Sequence, residues 1–216
     1  MGKRFVGSYS TGKDSTFAVY KAIEAGYDVQ SLVITYNPKD EKAWFHGVDE
    51  NVIRGLEEAL GIPVHLIETD GSDYEAAFEK TLAEEKKKGA ELCVFGDIDI
   101  ENHLKWGMDR CENTGLEAIF PLWKRNREDV VRDFVESGFK TVITTINMDK
   151  MDEKYLGRVL DNELIEELRC ENIDVCGENG EYHSLVVDGP LFRHPLEASF
   201  EKEYRGNYAR LKAIVK

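Results

Sequence analysis

The chain has 216 residues, 42% of them hydrophobic, and is therefore long enough to bury a large core in one or two domains. Its formal net charge of −14 disfavours a nucleic-acid groove across the surface and suits small molecules or a basic protein partner better. No apolar run approaches the roughly 20 residues that span a membrane, and no signal-peptide pattern is visible, so we expect a cytoplasmic protein that does not enter a membrane.

Strand-like and helix-like segments alternate in the sequence up to about residue 146. The predicted strands cover residues 4–10, 28–36, 63–69, 91–98, 116–123 and 139–146. The predicted helices cover residues 14–25, 48–60, 72–89, 100–115 and 126–138. Apolar strands joined by helices predict an α/β fold with a doubly wound parallel sheet, whose ligands bind at the carboxyl ends of the strands.

The alternation ends near Asn147. A short helix is predicted for DNELIEELR, and DVCGENGEYHSLVVDGPLF has the pattern of a β-hairpin and not of a βαβ unit. A smaller second lobe therefore begins between about residues 125 and 150. We place the two domains at residues 1–125 and 126–216.

The segment GSYSTGKDS follows the first predicted strand and comes close to a Walker A phosphate loop. Gly7, Gly12 and Lys13 have the G-x-x-x-x-G-K spacing, but the next position is Asp14 where that loop needs a Ser or Thr hydroxyl on Mg²⁺. A glycine-rich turn between a strand and a helix still presents backbone N–H groups and the positive end of the helix dipole to an anion. The segment therefore predicts a nucleotide site of a different kind.

The residue types in this loop indicate a role for each position. Gly12 allows a close backbone approach, Lys13 supplies a cation for phosphate oxygens, and Asp14 is the candidate Mg²⁺ ligand. The hydroxyl and loop positions assigned to ATP are Ser8, Ser10, Thr11 and Ser15. The alternative is an ordinary strand–turn–helix connection with Ser10 or Asp14 as the helix N-cap.

Residues 10–15, STGKDS, resemble the SGGxDS signature of the PP-loop (N-type) ATP pyrophosphatases. Thr11 stands where that signature has its first glycine, so the turn must accept a Cβ atom there. The resemblance implies attack on the α-phosphorus of ATP, with AMP and pyrophosphate as products and with ATP and Mg²⁺ as cofactors.

Further segments resemble the diphthine–ammonia ligase branch of this superfamily. They are HGV at 46–48, VFGDI at 94–98, FPLW at 120–123 and CGENGEYHSLVVDGPLF at 176–192. The resemblance spans nearly the whole chain and implies a HUP-type nucleotide-binding domain followed by a smaller α+β substrate domain. It also implies a ligation in which a carboxylate is adenylated and then captured by ammonia. The stretch ENGEYHS departs from the GGEYET of eukaryotic members, which leaves the acyl substrate open.

Other candidates lie where predicted strands end. Gly96 and Asp97 end a buried strand at the same edge as the loop, so we assign Gly96 to ATP and Asp97, with Lys13 and Asp14, to catalysis; a helix N-cap is the alternative for Asp97. The adenine candidates at the end of the second strand are Ile34, Thr35 and Tyr36, which also suit a plain core. His46 is a candidate for substrate or phosphate contact, although a lone histidine is more often structural.

The dipeptide Asn179-Gly180 predicts a type I′ hairpin. In that register Glu178 lies opposite Glu181 and Cys176 lies opposite His183, on one face. Two opposed carboxylates favour a cation between them, and a quaternary ammonium held by carboxylates and an aromatic ring such as Tyr182 or Trp44 is our preferred interpretation. A transition-metal site and a solvated hairpin tip are the alternatives. The substrate-binding candidates are His46, Glu178, Asn179, Gly180, Glu181, Tyr182 and His183.

The function predicted from these observations is an ATP-dependent, AMP-forming amide ligase. Its expected partners are ATP, ammonia and a carboxylate substrate, which is diphthine on elongation factor 2 if the host makes diphthamide; the acidic composition disfavours nucleic acid, and a homodimer is compatible with the sequence. Two alternatives stay open at this point. One is an ATP pyrophosphatase in tRNA or small-molecule modification, and the other is a nucleotide-binding regulator without catalysis.

Overall fold

A computed structural model describes residues 2–215, which divide into two compact units. The first unit contains the residues up to Ser10, Asp14–Glu50 and Ile62–Arg125. The second contains Thr11–Lys13, Asn51–Gly61 and the residues from Asn126 onward. Two short segments from the first half of the chain thus belong to the second unit. The division into domains 1–125 and 126–216 stays a prediction.

The first unit is built on a parallel sheet. Its strands are β1 (Arg4–Ser8), β2 (Asp28–Asn37), β3 (Lys42–Ala43), β4 (Val64–Glu68), β5 (Leu92–Val94) and β6 (Glu117–Ile119). The helices in this half of the chain are α1 (Lys13–Glu24), α2 (Glu50–Leu60), α3 (Tyr74–Lys87) and α4 (Glu101–Thr114). Of these helices, α2 belongs to the second unit.

The five parallel strands lie in the order β4-β2-β1-β5-β6, and β3 runs antiparallel to the far end of β2. From β1 the chain moves outward through β2 to β4, and it then crosses to β5 on the other side of β1. The strand order therefore reverses between β1 and β5, and a crevice at such a reversal is where open α/β sheets bind ligands. This arrangement confirms the predicted doubly wound parallel sheet.

Local signals set the helix ends. The buried residues of α2 recur at helical spacing (Val52, Ile53, Leu56, Ala59 and Leu60). It ends before Gly61, whose φ of 64° is costly for other residues, and α4 ends in the same way at Gly115, with φ 70°. Among residues 2–215, no helix is both long and apolar enough to cross a membrane.

The second unit is built on an antiparallel sheet. Its strands are β7 (Lys140–Asn147), β8 (Tyr182–Asp188), β9 (Ala198–Arg205) and β10 (Tyr208–Val215), in the order β8-β7-β10-β9. Besides α2 it contains α5 (Arg127–Glu136), a short 3-10 helix (Glu153–Tyr155) and α6 (Asn162–Cys170). Fully buried residues of α5 and α6 include Val131, Phe134, Leu164 and Leu168. The predicted short helix near 161–169 is confirmed.

The segment 139–146 was expected in the parallel sheet, and that expectation is wrong. It forms β7, which pairs antiparallel with β8 and β10. A strand that is buried on both faces has the same continuous apolar pattern in a parallel and in an antiparallel sheet. Its pairing partners therefore determine to which sheet it belongs. Those partners come later in the chain, and β9 and β10 were not predicted at all.

The predicted type I′ hairpin at Asn179-Gly180 is also wrong. Gly180 has φ 79°, but Asn179 is not among the described residues with positive φ. The element before this turn is the helix α6, so no strand leads directly into it. Asp174 instead closes a turn by accepting the N–H of Cys176 on Oδ1 at 3.0 Å, and Gly177 takes φ 74°. The chain therefore cannot extend before Asn179, and β8 takes β7 as its partner. Neither predicted cross-strand pair, Glu178 with Glu181 or Cys176 with His183, is formed.

Candidate active site

The loop between β1 and α1 lies at the strand-order reversal of the first unit. The N–H of Tyr9 donates to the carbonyl of Val33 at 2.9 Å, which continues the β1–β2 pairing past the end of β1. The N–H of Ser10 donates to Ser15 Oγ at 3.1 Å, and the two hydroxyl oxygens are also 3.1 Å apart. The loop is thus closed by its own serines, and the first turn of α1 starts where an anion would be attracted by the helix dipole.

Thr11 has the backbone conformation that the first glycine of the signature would supply. Its φ is 72°, in the left-handed region, where a β-branched residue is strained. The residue is fully buried, and among the described residues its Oγ1 has no hydrogen-bond partner. A buried hydroxyl without a partner is expensive, so this atom fits a role in contacting a bound ligand.

Gly96 allows the end of β5 to approach the first turn of α1. A Cβ atom on Gly96 would lie 2.7 Å from the backbone nitrogen of Ser15 and 2.8 Å from the carbonyl carbon of Asp14. Both of these are backbone atoms and cannot move aside. The glycine therefore keeps Asp14 and the residues that follow β5 at one edge of the sheet.

Asp97 lies in the loop that follows β5, and His103 lies in the first turn of α4. Asp97 Oδ1 and His103 Nδ1 are 3.2 Å apart. Desolvation raises the pKa of Asp97 above its usual value; His103 opposes this rise and the charge of Asp14 adds to it. Asp97 is therefore a partly buried carboxylate between a second carboxylate and an imidazole, which is the kind of environment found at functional sites.

The adenine candidates end β2, directly beside β1. Ile34, Thr35 and Tyr36 are all buried, and the Thr35 hydroxyl accepts from the Tyr74 hydroxyl at 3.2 Å. The ring of Tyr74 contacts the edge of Trp44 at 6.2 Å between centroids, and Trp44 keeps 42% of its surface exposed. The end of β2 is therefore lined by aromatic rings, which suits a base or another flat ligand.

His46 lies in the turn that follows Trp44, with φ 61°, and is half-buried. The turn is tied to the sheet because the Trp44 N–H donates to the carbonyl of Thr35 at 3.0 Å and its Nε1 donates to Thr69 at 3.1 Å. The structure thus places His46 near the end of β2 along the chain. Its role in binding substrate stays a prediction.

Lys13 and the neighbouring loop residues belong to the second unit. Its Nζ donates to the carbonyl of Cys176 and lies 5.7 Å from the ring centroid of Tyr182. The carbonyl of Thr11 accepts the N–H of Val186 at 3.0 Å. The structure therefore brings the loop lysine together with the segment before β8, from which the substrate candidates were chosen.

The substrate candidates of this unit form a folded turn. Glu181 is buried, and its carboxylate accepts the N–H of Asn179 at 3.1 Å, so it folds back on its own turn. Asn179 Oδ1 also accepts from Arg127 at 3.2 Å, and the Tyr182 hydroxyl donates to Val175 at 2.6 Å. Gly180 at the tip is exposed and Glu178 is half-buried. The turn is thus rigidly held, and its exposed residues form a small surface.

Desolvation, Arg210 and Lys13 all lower the pKa of His183.

Sequence reasoning did not identify Arg210 or His103, because neither lies in a motif and both are ordinary surface residue types. His103 had one available signal. It lies six residues after Asp97 in a predicted helix, so a side chain in the first turn of that helix can reach back to the strand end.

Family models match both halves of the chain. Residues 3–118 match the diphthamide synthase N-terminal domain, and residues 126–215 match the diphthamide synthase C-terminal domain. The chain belongs to the diphthamide synthase family. This membership confirms the resemblance found in the sequence and, with the relatives below, the predicted class of ATP-dependent, amide-forming ligase.

Individual relatives are similar in sequence to this chain over most of its length. The diphthine–ammonia ligase of Homo sapiens is 26% identical over 220 residues, covering 87% of this chain and 79% of the human protein. The ligase of Schizosaccharomyces pombe is 25% identical over 250 residues, covering 99% of this chain and 40% of the yeast protein. The similarity therefore extends across both matched regions.

Solved structures with a related shape have lower identity. A predicted subunit of tRNA methyltransferase from Methanocaldococcus jannaschii is 15% identical with a TM-score of 0.48, covering 89% of this chain and 98% of that chain. A 4-thiouridine synthetase solved with RNA and bound ATP is 16% identical with a TM-score of 0.44, covering 63% of this chain and 41% of that chain. Both identities are well below those of the ligases.

Proposed function

We propose that this protein is an AMP-forming ligase that adenylates a carboxylate and converts it to an amide with ammonia. The proposed acyl substrate is diphthine on elongation factor 2, where the host makes diphthamide, because the relatives are named for diphthine and ammonia. The observation that carries the proposal is the family match over both halves of a chain whose STGKDS loop lies at the strand-order reversal. Its location would be the cytoplasm, and a homodimer is compatible with it.

The residues proposed to hold ATP are those at the β1–β5 edge of the sheet. The orphan hydroxyl of Thr11 and the close approach at Gly96 are the observations that fit a phosphate group there. The loop positions assigned to the phosphates are Ser8, Ser10, Thr11, Gly12, Lys13 and Ser15, and those assigned to adenine are Ile34, Thr35 and Tyr36. Asp14 would hold Mg²⁺, which would neutralise phosphate charge.

The reaction has two steps. A carboxylate oxygen bonds to the α-phosphorus and the bond to pyrophosphate breaks; the ammonia nitrogen then bonds to the acyl carbon, the bond to AMP breaks and the nitrogen loses a proton. The chain contributes positioning and charge neutralisation, mainly through the loop and Lys13. We assign to the Asp97–His103 pair, whose Oδ1 and Nδ1 atoms are 3.2 Å apart, the role of holding or moving the proton that the nitrogen loses.

The acyl substrate is proposed to contact the second unit. Glu178 is half-buried and supplies a carboxylate for a quaternary ammonium, whereas the carboxylate of Glu181 accepts the N–H of Asn179. Tyr182 is buried, with Lys13 near its ring, and Trp44 of the first unit is exposed; each stays a separate aromatic candidate for cation–π contact. Asn179, Gly180 and His183 complete the proposed set in this unit, and His46 of the first unit stays a separate candidate.

The test is product analysis with ATP labelled at the α- or the γ-phosphate. Elongation factor 2 carrying diphthine, and separately a panel of small carboxylates, would be incubated with the protein and ammonium. Label in AMP and in pyrophosphate that depends on both acyl substrate and ammonium supports the proposal, whereas ADP and phosphate as main products would contradict it. Asp14→Asn should abolish turnover, and Asp28→Asn, which changes an exposed carboxylate at the start of β2, should not.

A further inference from the structure

One row of polar side chains crosses the antiparallel sheet of the second unit. Thr145 on β7 pairs with His183 on β8 and with Arg210 on β10. Directly paired residues project from the same face of a sheet, so the side chains of all three lie on one face. His183 is exposed, Arg210 is half-buried and Thr145 is buried between them.

The guanidinium of Arg210 is not neutralised by the described part of the chain. Its Nε is buried without a hydrogen-bond partner, and no carboxylate of residues 2–215 forms an ion pair with it. Glu203 lies opposite Arg210 on β9 and forms an ion pair with Arg205 at 3.7 Å. In a protein of net charge −14, an arginine that is left unpaired at a partly buried position needs an explanation.

An aromatic ring lies near Arg210, and Glu203 is its cross-strand neighbour on β9. The ring of Tyr208, two residues earlier on β10, lies 5.9 Å from the guanidinium carbon. Arg210 and Lys13 both lower the pKa of His183. The lowered pKa of His183 favours its neutral imidazole, so Arg210 supplies the positive charge that would attract an anion.

We propose that Arg210, which lies across β7 from His183, binds the carboxylate of the acyl substrate before that carboxylate is activated. The inference rests on the proposed ligase function. A guanidinium presents two parallel N–H groups that match the two oxygens of a carboxylate. A phosphate oxygen would be bound by the same chemistry, so pyrophosphate is the competing source of the anion.

The first test measures binding without catalysis. The side-chain Nε–H signals of 15N-arginine-labelled protein would be followed by NMR during separate titrations with glutarate and with inorganic pyrophosphate, and Arg210→Lys would identify the Arg210 signal. We expect glutarate to shift the Arg210 signal saturably while the signal of Arg205, on the neighbouring strand, stays unchanged. No shift, or a shift with pyrophosphate alone, would overturn the inference even if the protein proves to be a ligase.

The second test uses the ligase reaction. Arg210→Lys keeps the charge but loses the planar fork, so the KM for the carboxylate substrate should rise at least about tenfold while the KM for ATP stays the same. Arg205→Lys is the matched control and should behave as the unmodified protein does. A rise in the KM for ATP, or no change in either KM, would contradict the proposal that Arg210 binds the substrate carboxylate. Absence of turnover with every carboxylate would count against the proposed function and leave the NMR result valid.

Discussion

Thr11 combines two unfavourable features in one residue. A left-handed backbone conformation costs about 1–2 kcal/mol for a residue with a Cβ atom, and a buried hydroxyl without a partner costs about 1–3 kcal/mol more. Strain of this kind persists where the surrounding structure enforces it, and it is concentrated at functional sites. The natural interpretation is that the hydroxyl gains its partner when a phosphate is bound.

Thr11→Val separates these effects, because it keeps the shape and the β-branch but removes the hydroxyl. We expect the free energy of unfolding of the free protein to rise by about 1 kcal/mol and the affinity for ATP to fall about tenfold. Urea unfolding and calorimetry would measure the two quantities. Thr141→Val is the control, since Thr141 also has a buried Oγ1 without a partner but lies in β7. Thr141→Val should raise the free energy of unfolding by a similar amount without lowering the affinity for ATP. If both variants lowered the affinity for ATP equally, Thr11 would not belong to the ATP site.

Asp97 makes stability depend on pH. Its pKa is higher in the folded protein, so the protonated form is favoured there, and the resulting stability is present at low pH and lost as pH rises through the folded pKa. Asp97→Asn should therefore raise the melting temperature at neutral pH, and the gain should vanish below the ordinary value of 3.8. AMP formation should fall at the same time.

Thermal melting in EDTA from pH 3 to 8 would check this, with Asp28→Asn as the control for an exposed carboxylate of the same unit. A gain that is constant across the pH range would show that burial of Asp97 has no part in it.

At the scale of elements, the contact between β5 and α1 decides whether the site can form. Gly96→Ala places a Cβ atom against the backbone of Asp14 and Ser15, so the strand end or the helix must shift. We expect a loss of about 2 kcal/mol of stability and of measurable ATP binding. In Gly107→Ala, the same added atom meets the ring ends of Phe120 and Phe95, which can turn. That control should bind ATP normally, and equal losses in both variants would contradict the assignment.

The local elements and the nucleotide loop were predictable because their signals are local. Gly26, Gly61 and Gly115 end helices with positive φ, as their positions in the sequence indicate. The loop residues follow a strand and begin a helix, so their place at the sheet edge follows from the α/β pattern. Only the finer description, such as the conformation of Thr11, needed coordinates.

Strand partners were not predictable, because pairing joins residues far apart in the chain. β7 was assigned to the wrong sheet since its sequence is compatible with both, and Asn179-Gly180 was read as a hairpin because nothing in the dipeptide reveals the turn made by Asp174. The row of His183, Thr145 and Arg210 depends on three such pairings. A site assembled in this way leaves no motif in the sequence.

At the scale of the whole molecule, each unit is made from separated stretches of chain. In the second unit, the N–H of Arg193 donates to the carbonyl of Ala59 at 2.7 Å, and its Nη2 donates to Gly61 at 3.1 Å. A Cβ atom on Gly55 would lie 2.9 Å from the side chain of Leu196, so α2 packs closely against the C-terminal segment. Helix α2 is therefore part of the core of this unit.

A fragment of residues 126–216 should for this reason fail to unfold cooperatively, although the C-terminal family model matches residues 126–215. Adding a synthetic peptide of residues 48–62 should restore a cooperative thermal transition followed by circular dichroism, because it supplies the missing apolar face. The same peptide with Gly55→Leu should not restore it. A fragment that melts cooperatively alone, at the temperature of the intact chain, would show that α2 is dispensable.

The interleaved units also impose an order on folding during synthesis. Helix α2 leaves the ribosome long before the strands that cover it, and at about 5–20 residues per second the wait until β10 is complete is on the order of ten seconds. Throughout that interval α2 lacks its native neighbours Leu196 and Val215. The nascent chain therefore carries a helix with an exposed apolar face, which is the kind of segment that chaperones bind. Slowing translation late in the message should lengthen this exposure and increase aggregation, although the finished protein would be unchanged.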